Sequence, residues 1–319
     1  MRRSLRCRVL AGALMCALAA APVVAADTLL TVLTGSSTGV YYTVGVALAE
    51  VLNNAIPDAK TTVQATRTSL ENLNLLQSGR GDVAFSAGDV LSDAWKGNEA
   101  AGFKTPLRKL RGIAAIYPNY IQFVARADSG IRKLADLKGK KISVGAPKSA
   151  TEVSARAILH AAGIEYKDFA KIEYAPFGES IELMKERQID VTLQSAGLGA
   201  SALRDLANAI DMVVVPIPAD VIRNIDDPAY IPVAIPAYTY RGQAADVPAV
   251  AVMNYLVTRE DETAETVYAI TKAMWTGVDQ LASAHSAARA MDPRKAIEGM
   301  PLPLHPGAER YYREVGLIR

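Results

Sequence analysis

Residues 28–52, TLLTVLTGSSTGVYYTVGVALAEVL, place an apolar run, a glycine-bounded loop and a helical pattern directly after one another. The run at 28–34 has the length and composition of a buried strand, and GSSTG at 35–39 those of a tight loop. From Val44 to Leu52 apolar residues recur at the spacing of one helix face. A strand followed at once by a helix predicts a mostly parallel α/β sheet rather than an all-β sandwich.

The same unit recurs along the chain. After a strand predicted at 61–65, TSLE at 68–71 has the pattern of a capping box, in which a hydroxyl and a carboxylate satisfy the free amides of a helix start. A helix over 70–78 follows. KISVG at 141–145 and SATE at 149–152 repeat the arrangement, before a helix that stops at Gly163.

Two further segments resemble each other. RGDVAF at 80–85 follows the first of these helices, and RQIDVTL at 187–193 follows a helix predicted at 180–187. Two interpretations are open: the chain forms two lobes of one plan, or helix-to-strand turns simply reuse Gly and Asp.

The chain has 319 residues, which exceeds the roughly 250 to 300 at which one core usually divides into two. An apolar segment at 112–125, interrupted by Pro118-Asn119, and a strand at 250–257 are suited to cross between domains. We expect lobe I at 27–118 and 249–319, and lobe II at 119–248. Two lobes joined by two strands can hinge over a ligand.

The N-terminus has the pattern of a secretory signal peptide over residues 1–26. Four arginines precede a 13-residue apolar run at 9–21, which is shorter than the ~20 residues that span a bilayer, and small residues follow up to Ala26. We expect cleavage near Ala26 and a periplasmic protein. The arginines are Arg2, Arg3, Arg6 and Arg8.

Cleavage changes the charge and the chemistry of the chain. Removing four arginines from the 35 basic residues leaves 31 against 33 acidic residues, a net charge of −2. This balance excludes a nucleic-acid role based on overall basicity. Cys7 and Cys16 would also be lost, so the mature chain could form no disulfide and no cysteine-based metal site.

The enzyme and cofactor motifs are weak. GSSTG at 35–39 matches the G-x-S-x-G nucleophile elbow, so a secreted serine hydrolase that uses Ser37 is the alternative function, although no earlier strand of the mature chain could supply an oxyanion loop. His160, His285 and His305 have no metal-ligand spacing, and no glycine-rich nucleotide loop is present. We predict no cofactor, no metal and no catalysis.

Hydroxyl-bearing loops occur where strands end and helices begin, a place that favours anion binding in open α/β sheets. Arg67 and Lys148 lie in two of these loops, and a ligand with two carboxylates could engage both unless they point to solvent. Aromatic residues could line the cleft or belong to the core. The hydroxyls are those of Ser36, Ser37, Thr38, Thr66, Thr68, Ser69, Ser149 and Thr151, and the aromatic residues are Tyr41, Tyr42, Tyr117 and Phe177.

From about Leu30 to the end, the sequence resembles the TAXI-type solute-binding proteins of tripartite ATP-independent periplasmic (TRAP) transporters. The segments that carry this resemblance are GSSTGVYYTVG at 35–45, SLENLNLLQSGRGDVAF at 69–85, RADSGIRKLADLKGKKISVG at 126–145 and LPLHPGAERYYREVG at 302–316.

The resemblance implies a two-lobed type II periplasmic binding fold, in which each lobe is a mixed, mostly parallel sheet flanked by helices. It implies a monomer that passes a small organic anion, such as glutamate or 2-oxoglutarate, to a membrane permease driven by an ion gradient. A sensor module that feeds a receptor would have the same sequence features.

The family's binding loops, carried over by position, and the cation Arg67 and aromatic residues Tyr117 and Phe177 named above give the candidate ligand-binding residues. Arg67-Thr68 and Lys148-Ser149 differ from the family pattern and add positive charge, so we expect a more anionic acid. The candidates are Ser36, Thr38, Gly39, Tyr41, Arg67, Ser69, Asn72, Tyr117, Ala146, Lys148, Ser149, Ala150, Thr151, Phe177, Gln194 and Gly197.

Overall fold

Strands of the computed structural model, which describes residues 28–37, 39–225, 227 and 229–319, form one mixed ten-stranded sheet. The predicted signal peptide, its two cysteines and Thr38 lie outside the described residues. The strands are β1 (Thr28–Leu33), β2 (Ala59–Gln64), β3 (Val83–Ala87), β4 (Leu110–Arg126), β5 (Lys141–Ser143), β6 (Lys171–Glu173), β7 (Val191–Ala196), β8 (Met212–Val215), β9 (Tyr230–Ile235) and β10 (Val247–Arg259).

Helices cover both faces of this sheet, as the α/β prediction requires. Among the described residues, no helix is both long and apolar enough to cross a membrane. The helices are α1 (Val40–Ala55), α2 (Ser69–Gln77), α3 (Gly88–Lys96), α4 (Ala150–Ala161), α5 (Phe177–Lys185), α6 (Ser201–Ala209), α7 (Ala219–Arg223), α8 (Ala264–Thr276), α9 (Val278–Ala284) and α10 (Pro306–Glu314).

The strand–loop–helix unit at 28–52 is present as predicted. β1 pairs in parallel with β2 and β3. Leu30, Val32 and Leu33 are buried because helices cover both faces of the strand. α1 begins after the loop and buries Leu48 and Leu52 against its neighbours.

Two long antiparallel strands, β4 and β10, join the parallel sets β2-β1-β3 and β7-β5-β6. β10 pairs with β3 at 254–257 and with β9 at 247–252, while β4 pairs with β7 at 120–125. Pro118 does not interrupt β4. It lies opposite Met253, where the register with β10 shifts, so its missing N–H is accommodated at an irregularity of the ladder.

We call β1–β3 with α1–α3 and α8–α10 the first half, and β5–β9 with α4–α7 the second half. One apolar cluster contains residues of both, including Leu73 and Leu91 from the first half and Leu159 and Val191 from the second. The two halves are therefore packed against each other as well as connected by strands.

Two helix predictions need correction. The sequence from 264 to 281 has the pattern of one helix, but it forms two, because Gly277 separates α8 from α9 where a Cβ would lie 2.7 Å from Val51 Cγ1. The helix expected from 180 begins at Phe177. α3, which starts at Gly88 directly after β3, has no counterpart among the predictions.

Candidate functional site

A cavity of about 510 Å³ lies between the two halves. Its walls come from the loops that follow β1, β2, β5 and β6 and from the crossing strand and its neighbour, β4 and β7. The described residues that line it are 34–37, 39–41, 65–69, 71, 119, 146, 149–151, 176–177 and 195–196.

Four helices begin at this cavity. α1 and α2 come from the first half, and α4 and α5 from the second, and each follows the carboxyl end of a strand. The first amides of a helix lack partners within it, and the helix dipole places a partial positive charge there. The cavity therefore has a positive potential although its lining contains few charged side chains.

α2 and α4 have side-chain caps. Thr68 Oγ1 accepts a hydrogen bond from the Glu71 amide at 3.0 Å, and Ser149 Oγ accepts one from the Glu152 amide at 3.2 Å. These hydroxyl halves of the two predicted capping boxes are present.

The carboxylate halves of the boxes were predicted wrongly. Glu71 Oε2 accepts a hydrogen bond from the Arg67 amide at 2.9 Å, one residue earlier than a capping box requires. Glu152 Oε1 pairs with Arg156, which lies one turn along the same helix.

Within the described residues, α1 and α5 have no side-chain cap at their N-cap positions. Gly39 and Pro176 occupy their N-cap positions, and neither residue has a side-chain atom that could accept a hydrogen bond. The first-turn amides of these two helices, one in each half, are therefore the amides best placed to meet a bound anion.

Tyr41, in the first turn of α1, is fixed by polar groups around its hydroxyl. The hydroxyl donates a hydrogen bond to Asn254 Oδ1, and the side chains of Ser69 and Asn119 lie close to it. Burial raises the pKa of the Tyr41 phenol, so it stays protonated as a donor. Asn119 and Asn254 lie on β4 and β10, so this network links the cavity wall to the crossing strands.

The two predicted cations occupy different surroundings. Arg67 lines the rim of the cavity with its side chain 90% exposed, and its Nε lies 3.6 Å from Glu71 Oε2. Lys148 is exposed and does not line the cavity. Its backbone is left-handed, with φ of 60°, and its Cδ lies beside Gly102.

The structure brings ten of the sixteen candidate residues to the cavity lining, and Thr38 lies outside the described residues. Asn72, Tyr117, Lys148, Gln194 and Gly197 do not line it. The ten are Ser36, Gly39, Tyr41, Arg67, Ser69, Ala146, Ser149, Ala150, Thr151 and Phe177.

Several of the other candidates hold the loops in place. Asn72 Nδ2 donates to Thr34 O at 2.6 Å and to Phe85 O at 2.8 Å, so it ties α2 to β3 and to the loop after β1. The buried side chain of Gln194 donates through Nε2 to Phe177 O at 3.5 Å, at the start of α5.

Tyr117 and Gly197 lie within the packed interior. Tyr117 is fully buried, with its ring centroid 6.5 Å from that of Tyr41. Gly197 lies so close to the segment after α9 that an added Cβ would be 2.5 Å from Ala287 Cβ.

Sequence reasoning missed Asn119 and Pro176 as lining residues, and it did not single out Ser195 within the binding stretch around 194–197. Asn119 was treated only as part of an interruption between two apolar runs. Pro176 could have been found, because a proline followed by Phe-Gly just before a helical pattern is a helix-start signal.

Ser37 lines the cavity, but none of the three histidines does. His160 Nδ1 lies 2.9 Å from Glu165 Oε1, and His285 and His305 accept the amides of Ala287 and Gly307. Within the described residues, no group of three or more His, Cys, Asp or Glu side chains could hold a metal ion.

The profile of the NMT1-like family matches residues 32–316. This chain belongs to the NMT1-like family. The match covers all the strands and helices that line the cavity except the first residues of β1.

Solved structures of binding proteins share the fold. PhnD1 from Prochlorococcus marinus, in complex with methylphosphonate, is 14% identical over 92% of this chain and 100% of its own, with a TM-score of 0.57. The binding-protein component of an ABC phosphonate transporter from Pseudomonas aeruginosa is 10% identical over 84% of this chain and 81% of its own, with a TM-score of 0.57.

The alkanesulfonate-binding protein SsuA from Xanthomonas axonopodis pv. citri, bound to MOPS, is 13% identical over 92% of this chain and 95% of its own, with a TM-score of 0.51. These similarities confirm the predicted type II periplasmic binding fold.

Proposed function

We propose that this NMT1-like protein is the extracytoplasmic solute-binding subunit of a membrane transporter and holds a small organic anion between its two halves. The observation that carries the proposal is the convergence of four helix starts, two from each half, on one cavity of about 510 Å³. A cavity of this size suits a small metabolite.

The binding energy would come from the helix starts and hydroxyls rather than from buried cations. A hydrogen bond to a charged group contributes about 1.5–3 kcal/mol, so a few such bonds approach the roughly 8 kcal/mol of micromolar affinity. Movement of the halves toward each other would exclude water and strengthen these bonds. Hinging at β4 and β10 is compatible with their position between the two parallel sets of strands.

We further propose that the membrane partner is a TAXI-type TRAP permease driven by an ion gradient. The sequence resemblance at 35–45 and 302–316 supports this choice. The two solved structures with the same TM-score point elsewhere: the one from Prochlorococcus is in complex with methylphosphonate, and the one from Pseudomonas is a component of an ABC phosphonate transporter. Uptake by proteoliposomes that contain the permease should need the binding protein and an ion gradient. Uptake that needs ATP instead would assign the protein to an ABC transporter.

The proposal includes export as a periplasmic monomer and no catalysis. The protein recovered from the periplasm should begin at Asp27, which N-terminal sequencing checks, and should elute as a monomer. The Ser37 hydrolase has no supporting observation beyond its motif, because no histidine lines the cavity in the described part of the chain.

Calorimetric titration of the protein, purified without denaturation, against carboxylates, 2-oxo acids, sulfonates, phosphonates and amino acids tests the function. We expect saturable binding of at least one anion at a ratio of one to one. A protein that binds no anion in this panel would contradict the proposal.

A further inference from the structure

The charged side chains around the cavity restrict the class of anion that it can hold. The proposed function leaves this class open. Among the described lining residues, Arg67 is the one cationic side chain and Glu71 the one carboxylate. Both lie at the rim and interact with each other, with Arg67 Nε 3.6 Å from Glu71 Oε2. Glu71 Oε2 also accepts the Arg67 amide.

An α-amino acid would bring an ammonium group into these surroundings. The ammonium needs several acceptors, preferably a carboxylate, when it leaves water. The described lining has no carboxylate to offer it other than Glu71. Glu152, which is buried near this wall, is paired with Arg156 and does not line the cavity.

The helix starts act against an ammonium as well. Each supplies a partial positive charge of roughly half an elementary charge, and four of them face the cavity. The same potential that attracts a carboxylate therefore repels an ammonium group on the same molecule.

We propose that the site takes organic acids without an amino group and rejects α-amino acids, including glutamate. This inference rests on the proposed function, since it names the class of anion that the same cavity selects. The cavity also has an apolar wall that suits the carbon skeleton of such an acid. This wall includes Val40, Ala65, Ala150 and Phe177.

Two matched pairs of ligands test the inference: glutarate against glutamate, and hexanoate against norleucine. Within each pair the compounds differ only by the α-ammonium group. We expect the acid without it to bind at least about tenfold more tightly, because an unpaired buried charge costs more than the roughly 1.4 kcal/mol that corresponds to a factor of ten. Equal or tighter binding of glutamate and norleucine would overturn the inference and leave the proposed function intact. A protein that binds none of the four, nor any other anion of the larger panel, would instead contradict the proposed function.

A carboxylate placed in the wall sharpens the test. Ser195 is buried and lines the cavity from β7, so Ser195→Asp supplies a counter-ion for an ammonium, and Ser195→Asn is the neutral control of the same shape. We expect Ser195→Asp to shift the glutarate-to-glutamate affinity ratio toward glutamate by roughly tenfold, and Ser195→Asn to leave it unchanged.

Ser37→Asp, at an exposed lining position, provides the same measurement if the buried substitution prevents folding. Its neutral control is Ser37→Asn. A ratio that stays constant in both aspartate variants would contradict the electrostatic selection.

Discussion

The helix starts around the cavity differ in how their amides are satisfied. Those of α2 and α4 have an acceptor of their own in Thr68 and Ser149, whereas those of α1 and α5 have Gly39 and Pro176, which offer none. The capped starts are stable without a ligand. The first-turn amides of the uncapped starts lack such an acceptor, so under the proposed function they are the part of the site that a bound anion would complete.

A third arrangement occurs at α3, whose first turn contains a buried carboxylate. Asp89 Oδ1 accepts the Val90 amide at 2.7 Å. Its Oδ2 accepts the Tyr230 hydroxyl at 3.0 Å and the Ser154 hydroxyl at 3.4 Å, and both donors belong to the second half. α3 thus supplies its own anion, and this anion also joins the two halves.

The largest effect is expected from giving α1 an anion of its own. Gly39→Asp should weaken binding of the best acid by about a thousandfold, because two negative charges ~4 Å apart repel by about 4 kcal/mol at an effective dielectric constant of 20. The backbone conformation suits a side chain, since φ is −96°, but an added Cβ would lie 3.2 Å from Ser36 O, so the loop must move by a few tenths of an ångström in this variant and in its control alike. Isothermal titration calorimetry measures the change.

Gly39→Asn is the matched control, with a neutral side chain of the same shape. It should cap α1 at a much smaller loss of affinity. Equal losses in the two variants would show that shape, and not charge, governs binding at α1, and would remove the contrast between capped and uncapped starts.

Asp89→Asn tests the helix start that carries its own carboxylate. Burial raises the pKa of Asp89 from 3.8 to about 6, so the folded protein binds this proton more tightly than the unfolded chain. This contribution to stability is present below pH 3.8 and is lost as the pH rises to about 6. Between pH 4.5 and pH 8 the wild type should therefore lose about 2 kcal/mol of stability relative to the asparagine variant, which has no proton to release.

Urea unfolding at pH 4.5 and pH 8 measures this difference. The control is the same substitution, Asp279→Asn, on the exposed surface of α9, which should change the free energy of unfolding by less than about 0.5 kcal/mol at either pH. If the free energy of unfolding of Asp89→Asn changed between these pH values as much as that of the wild type, Asp89 would not titrate in this range.

Removing a cap should lower the stability of the protein and hardly change its affinity, whereas Gly39→Asp should mainly lower the affinity. Thr68→Ala and Ser149→Ala should each lower the free energy of unfolding by about 1 kcal/mol, because one helix-start amide loses its acceptor. The affinity for the best acid should change by less than about threefold. A loss of affinity as large as that of Gly39→Asp would mean that the capped starts bind the solute directly.

The smallest effects concern the two cations of the binding loops. Arg67→Ala should weaken glutarate by about threefold and hexanoate by less, because Arg67 is exposed at the rim and is screened by solvent. Lys148→Ala should leave both affinities nearly unchanged, since Lys148 does not line the cavity. A larger effect at Lys148 than at Arg67 in a titration series would contradict the observed placement of these side chains.

Local patterns predicted the parts of the fold that depend on neighbouring residues. The apolar run at 28–34 and the hydroxyls of Thr68 and Ser149 act within one strand or one helix turn, so their roles can be deduced from the sequence. The start of α3 was missed, because Gly88-Asp89 after a strand has the composition of a turn.

Features set by tertiary packing could not be deduced in this way. Asn119 and Ser195 reach the cavity because β4 pairs with β10 and with β7 in a particular register, which no local pattern encodes. Lys148 has a left-handed backbone, a conformation rare for lysine, and this turns it away from the place that its loop predicts.

A crystal structure of the protein with the tightest-binding acid of the panel tests the central claim most directly. We predict that the carboxylate lies within hydrogen-bond distance of the first-turn amides of α1 and α5, with its carbon skeleton toward Phe177. A carboxylate bound outside the cavity, or held by Lys148 away from both helix starts, would contradict the claim.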